Sequence, residues 1–288
     1  MERRLLIAVG DDPNSLYGAH FVSSFFRNKG DMKLTLLHIA PAFESMEAKE
    51  GLRLHEMDQI LSKIYAKKGQ EALEMSKRIL LSQDFPSHQI NTKLITKHYG
   101  MIRDILEEAS QGHYHAIVLG RRGYSIFEKA LYPRLSQEVM DLNIDFPFWV
   151  CRRPQRGLKN VLLCVDGSDC SLRAARHVGF MVGREEQHKI TLLFVDDGSR
   201  KDVEVTFGKA RQELANYSIK DASVGTLIVE GSEVAKIIRK ESSTGSYAVV
   251  SVGRHGVGND SAPEKRFMGT KSLELIETLE RAALWVCN

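Results

Sequence analysis

The feature that most constrains this chain is that it says the same thing twice. Val161-Leu162-Leu163-Cys164-Val165 repeats the apolar run Leu5-Leu6-Ile7-Ala8-Val9, and Leu192-Leu193 within Ile190–Val195 repeats Leu36-Leu37 within residues 34–39. Gly253-Arg254-His255-Gly256 repeats Gly120-Arg121-Arg122-Gly123, and Leu284-Trp285-Val286-Cys287 repeats Phe148-Trp149-Val150-Cys151. The early landmarks lie 156 positions apart, the glycine turns 133 and the tryptophans 136. The second copy has therefore lost 23 residues between its second and fourth strands, then gained three after its glycine turn. Four landmarks in one order describe a tandem duplication, with domains expected at 1–153 and 158–288 around an Arg/Pro-rich linker.

Each copy reads as alternating strands and helices. Short, continuous apolar runs ending in Gly, Asp, Asn or Ser are the pattern of strands buried on both faces of a parallel sheet. In the first copy these are residues 5–9, 34–39, 90–96, 116–119 and 148–151. Helical periodicity is expected from residue 14 or 15 to 26, within 46–82, over 101–110 and around 135–142. The fold class expected is α/β: two tandem, doubly wound, parallel five-stranded sheets of Rossmann-like type, paired as a pseudo-dimer. In such sheets ligands bind beyond the carboxyl ends of the strands, where the strand order reverses. The turns after the first and fourth strands should therefore face one crevice.

Bulk properties exclude several classes. A net charge of +3 over 288 residues, without a long basic run, does not suit extensive nucleic-acid binding. The first apolar run is too short for a signal peptide or a membrane span, so a cytoplasmic chain without membrane contact is expected. Cys151, Cys164, Cys170 and Cys287 form no Cys-x-x-Cys pair and no metal spacing with histidine. Cys151 and Cys287 end equivalent strands and would approach if the copies paired through them, but isolated thiols are the preferred reading. No Ser-His-Asp grouping, paired carboxylates or Walker lysine is present, so no catalytic residue is assigned.

One stretch carries chemistry: Val249-Val250-Ser251-Val252-Gly253-Arg254-His255-Gly256, continued through Phe267-Met268-Gly269-Thr270-Lys271-Ser272. A strand, a glycine turn and a Gly-Thr helix start make an arrangement that holds phosphates. Glycines admit close backbone approach, and unpaired N–H groups at a helix start favour an anion. An ordinary strand-to-helix connection explains the same residues equally well.

With these residues in view, the chain resembles the universal stress protein family as a tandem two-domain member. The resemblance rests on Val165-Asp166-Gly167-Ser168, the Leu-Thr-Leu-Leu strand, and the glycine turn leading to a final strand. ATP-binding members carry Gly-x-x-Gly, a spacer of nine, then Gly-Ser/Thr. Here Gly253, Gly256, Gly269 and Thr270 match the ends of that motif, around a spacer of twelve (residues 257–268). The resemblance implies that Asp166 accepts hydrogen bonds from the adenosine part, at the base, that Val195 lines the base pocket, and that Val165 is a further nucleotide-binding residue. It further implies that Gly253 and Gly256 allow approach to ribose and phosphates, and that Gly269, Thr270 and Ser272 hold the phosphates. Arg254 and Lys271 would add positive charge. The implied ligand is ATP or AMP, with or without Mg. The first copy departs from the pattern: Gly10 replaces the aspartate, and Pro133-Arg134 stands where Gly-Ser/Thr belongs, so its site reads as degenerate.

The function expected is a stress-response or regulatory protein binding an adenine nucleotide in its second half, with ATP turnover slow at most. The first half would serve as an intramolecular partner, and a further homodimer stays open. The alternative is a protein-interaction or dimerisation module that needs no nucleotide. A ligase or pyrophosphatase on a related fold is a weaker third, because neither first turn offers Ser-Gly-Gly-x-Asp-Ser.

Overall fold

A computed structural model describes residues 2–42, 51–97, 100–120, 146–153, 155, 157–198, 202–256 and 269–288. The helix expected around 135–142, the residues Gly123, Pro133 and Arg134, and the spacer 257–268 lie outside the described residues.

In the first half β1 (Arg3–Ala8), β2 (Met32–Ala40), β3 (Ile90–Thr96), β4 (Ala116–Gly120) and β5 (Phe148–Cys151) alternate with α1 (Tyr17–Phe25), α2 (Gly51–Leu81) and α3 (Met101–Gln111). The second half runs β6 (Asn160–Cys164), α4 (Asp169–Val182), β7 (Ile190–Asp196), α5 (Val203–Ala215), β8 (Val224–Glu230), α6 (Val234–Thr244), β9 (Tyr247–Gly253), α7 (Thr270–Thr278) and β10 (Ala283–Cys287). Within each half every strand pair is parallel. The order β3-β2-β1-β4-β5-β10-β9-β6-β7-β8 makes each half doubly wound, with its reversal at β1/β4 or β6/β9.

Period-two alternation explains the layers. Leu5 and Ile7 enter one buried cluster with Val22, Leu73, Ala174 and Ala210, while Leu6 enters another with Ile105, Ile238 and Leu275. Helices α1, α2, α4 and α5 thus cover one face of the sheet, and α3, α6 and α7 the other. Most of the second copy's missing length lies in one element: α2 has 31 residues where α5 has 13.

The halves join through β5 and β10, the one antiparallel pair among the described strands. Two edge strands that would otherwise expose unpaired backbone close each other off. Trp149 lies opposite Trp285, their rings stacked at 4.1 Å and 8°. The Trp149 Nε1–H donates to His177 Nε2 at 3.0 Å, and Phe21, Phe25 and Phe26 pack round the pair. Beside the rings, Arg3 is buried and donates to Met181 O (2.7 Å), Asn28 O (2.6 Å) and Asp31 Oδ1 (2.6 Å). It also pairs with Glu185 at 3.3 Å, and that carboxylate accepts from the Arg27 and Asn28 amides. His188 stacks on Phe25 at 4.3 Å.

Antiparallel pairing also decides the cysteine question. Two residues beyond each tryptophan, Cys151 and Cys287 run towards opposite ends of the pair, four positions and roughly 13 Å apart. All four cysteines are free. Burial pushes the Cys151 thiol up and raises that of Cys287 to about 12, so both stay protonated and unreactive.

Candidate functional site

Where β6 ends, the chain turns sharply through Asp166-Gly167-Ser168. Asp166 Oδ1 accepts from Ser168 N at 3.0 Å and Ser168 Oγ at 2.6 Å, fixing the carboxylate against its own turn. Gly167 has φ of 82°, and a Cβ there would lie 3.1 Å from Thr206 Oγ1, so the turn needs glycine twice over. The residue that caps α4 is Ser168, which accepts from Ser171 N at 3.2 Å. Asp166 orders the turn but leaves helix capping to its neighbour.

The turn after β9 is stitched into the same structure. Arg254 N donates to Cys287 O at 2.6 Å, and Gly269 N returns to Arg254 O at 2.9 Å. Ser272 is buried and donates through Oγ to Gly253 O at 3.0 Å, pinning the first turn of α7 to the end of β9. Gly269 is the N-cap of α7, so Thr270 is the first helical residue and its hydroxyl is not used in capping. A glycine cap brings no side-chain acceptor to the first-turn N–H groups, the groups that attract an anion.

Between the two turns lies a cavity of about 450 Å³. Val165, Asp166, Val195, Gly253, Gly256, Gly269, Thr270, Lys271 and Ser272 line it, nine of the ten residues singled out in the sequence. Arg254 does not. Its side chain is buried, and its backbone carries the turn instead.

The two glycines of the turn do different work. A Cβ on Gly253 would sit 2.8 Å from the Cys170 carbonyl carbon and from Ser171 N, so this glycine lets strand β9 pass the start of α4. A Cβ on Gly256 would instead sit 3.0 Å from Asp166 Oδ2 at the cavity wall.

Sequence reasoning missed the apolar walls. Leu193, Val234, Ile238, Val252 and Leu275 line the cavity from β7, α6, β9 and α7, together with Cys164, Ser171, Asp197 and His255. The helix residues follow ordinary amphipathic spacing, which serves core and pocket alike. Asp197 had a local signal, in the Asp196-Asp197-Gly198 turn that ends β7. The Cys164 thiol is pushed up by burial and by the Asp166 charge, so this wall is inert. Among the described residues no group of three His, Cys, Asp or Glu could hold a metal ion.

The corresponding turn of the first half has no carboxylate at the matching position. At the position of Asp166 stands Gly10, whose carbonyl accepts from Ser15 Oγ at 2.7 Å. Asp12 Oδ1 accepts from Asn14 N at 2.9 Å and caps a short 3-10 turn over Pro13–Leu16. A Cβ on Gly120 would lie 2.5 Å from Asn14 O, the same packing duty that Gly253 performs.

The model of the universal stress protein family matches residues 1–152. No curated protein matches the sequence. Among solved structures, a universal stress protein from Archaeoglobus fulgidus DSM 4304 superposes with a TM-score of 0.67 at 15% identity, covering 99% of this chain and 96% of that one. A functionally unknown protein from Pseudomonas aeruginosa PAO1 follows at a TM-score of 0.53 and 13% identity, covering 99% and 92%. At these identities the likeness shows the fold alone. The match falls on the half whose turn lacks the aspartate, while the cavity sits in the other. With more than half of its length matched, and that half repeated in the remainder, this chain belongs to the universal stress protein family.

Proposed function

We propose that the second half binds an adenine nucleotide, ATP or AMP, in the cavity between β6 and β9, in a regulatory or stress-response role. The observation that carries this reading is the order of chemistry across one cavity. Thr270 and Lys271 at an α7 N-terminus capped by glycine suit phosphate; Asp166 suits the hydroxyls and donors of a nucleoside; Val165, Val195, Ile238 and Val252 suit a flat ring. The volume lies within the range of about 300–1,000 Å³ common for small-molecule sites. Any Mg would arrive on the phosphates, since the described residues offer it no cluster of their own. Binding rather than turnover is the proposed activity, with no catalytic role given to any of the described lining residues.

Calorimetric titration of ATP and AMP against wild type and Asp166→Ala tests this. Binding to the wild type that weakens about tenfold in the variant is expected, the size of one charge-assisted hydrogen bond. Equal binding by both proteins, or none by either, overturns it.

The first half then acts as a built-in partner. Its contribution is β5, the Trp149 stack and the Arg3 network against the nucleotide-binding half. Because β5 and β10 occupy each other, a homodimer would have to use a different surface.

A further inference from the structure

We propose that the outer face of α2 pairs antiparallel with the same face of a second copy of this chain, forming a homodimer. The two halves differ most at this helix, which has 31 residues where α5 has 13. Covering the sheet occupies only the later part of α2. Among its described side chains the buried ones are Gly69, Leu73, Ser76 and Leu80, spaced along one face by four, three and four. Gly69 packs directly on the His38 ring near the end of β2, where a Cβ would overlap it. Residues 57–68 include no buried side chain, so the helix runs on past the carboxyl end of β2 without covering it.

The outer face of α2 carries the apolar surface. Among the described residues, five of the seven exposed large apolar side chains lie on α2: Met57, Ile60, Ile64, Met75 and Leu81. Met57, Ile60, Ile64, Lys68, Glu71 and Met75 follow one another in steps of three and four. At about 100° per residue they form a second stripe on nearly the opposite side of the helix from the buried one. Such a stripe is what one helix presents to another.

The two charges within the stripe identify the partner. A two-fold axis between residues 69 and 70 sets Ile64 opposite Met75 and Lys68 opposite Glu71, each pair occurring twice. Lys67 and Glu74 then flank the seam on the same side, within a turn of each other. A parallel pair would set Lys68 beside Lys68 and Glu71 beside Glu71. Lys68 is exposed and lies over the Tyr65 ring of its own helix at 5.5 Å, a contact that leaves its ammonium in solvent. Residues 57–81 offer about 37 Å of helix roughly 10 Å wide, close to half the ~800 Å² per partner of a stable complex. The dimer should therefore form in the micromolar range.

Sedimentation equilibrium of the full chain, from a few micromolar to about 0.5 mM, tests the pairing. The wild type should dimerise. Ile64→Asp, which places a carboxylate opposite Met75 twice per dimer, should weaken it more than about tenfold. Lys68→Glu and Glu71→Lys should each weaken it about three- to tenfold, and the double exchange Lys68→Glu with Glu71→Lys should restore it. A wild type that stays monomeric throughout overturns the proposal, as does a dimer indifferent to Ile64→Asp and Lys68→Glu. Failure of the double exchange to restore a dimer weakened by both single changes overturns the antiparallel register. A monomer that sediments with phosphatidylserine vesicles would give the stripe to a lipid surface and overturn the pairing too. All three substituted positions are exposed, and circular dichroism with thermal melts confirms that the variants fold.

Discussion

Gly253 and Gly256 stand three residues apart in one turn, and a methyl group separates their roles. On Gly253 it meets backbone of α4 at 2.8 Å, and backbone cannot swing aside. Gly253→Ala should therefore cost about 1–3 kcal/mol of stability, as overpacked sites do. On Gly256 the methyl meets only the Asp166 carboxylate at 3.0 Å. Gly256→Ala should change stability by less than about 0.5 kcal/mol while weakening nucleotide binding about tenfold. Urea denaturation of both variants, with AMP titration of the second, checks the pair; equal destabilisation by both would refute the division. The spacing of the motif named both glycines but could not divide their labour. The division depends on which atoms between Asp166 and Ser171 come opposite each glycine, and those lie 82 to 90 residues upstream.

Elements were legible where their signal was local. The strands at 90–96 and 148–151 have the observed bounds, because both are short apolar or alternating runs closed by turn residues. β8 did not stand out as a run of its own, since Gly225 and Thr226 interrupt its apolar face and four of its seven residues are exposed. The deletion was legible as a number, yet its place required the structure: α5 is short because it keeps only the turns that cover Phe194 and Val224. The cavity was legible by its turns and illegible by its walls. Helix α7 depends on one contact that spacing did not suggest, since the resemblance gave Ser272 to the phosphates. Ser272 aligns with the family's second hydroxyl, and here it donates to the Gly253 carbonyl. Ser272→Ala should lower stability by about 1 kcal/mol and loosen the start of α7, visible as faster amide exchange at residues 270–273. Unchanged exchange would mean that the return of Gly269 N to Arg254 O holds the turn unaided.

At the scale of the whole molecule the halves share one core, since a single buried cluster runs from Leu5 through Trp149 and Trp285 to Phe194. The seam inside it is sensitive to acid. Burial lowers His177 to about 3 and His188 to about 4, against the ordinary value near 6.5. Both rings stay neutral in the folded chain, and His177 must, because its Nε2 accepts from Trp149. Above about pH 6.5 neither state binds these protons and the two groups leave stability unchanged. As pH falls from 6.5 towards 4 the unfolded chain takes up protons that the folded chain refuses. Each ring then subtracts about 1.4 kcal/mol per pH unit until its folded value is reached. His188→Gln keeps a donor for the Lys159 carbonyl that His188 Nδ1 meets at 2.6 Å, and it should flatten the stability profile between pH 6.5 and 4 by about that slope. Parallel urea-midpoint profiles for the two proteins would remove His188 from the account.

The stacked pair at the seam has an optical consequence. The chain contains two tryptophans, and they are Trp149 and Trp285, one from each half. Two indoles 4.1 Å apart and nearly parallel act as coupled chromophores rather than two independent ones. Every tryptophan signal the molecule gives, in emission or in the ultraviolet dichroism of coupled transitions, therefore comes from the line where the two copies meet. The duplication carries its own gauge of whether its halves are joined, with no label added.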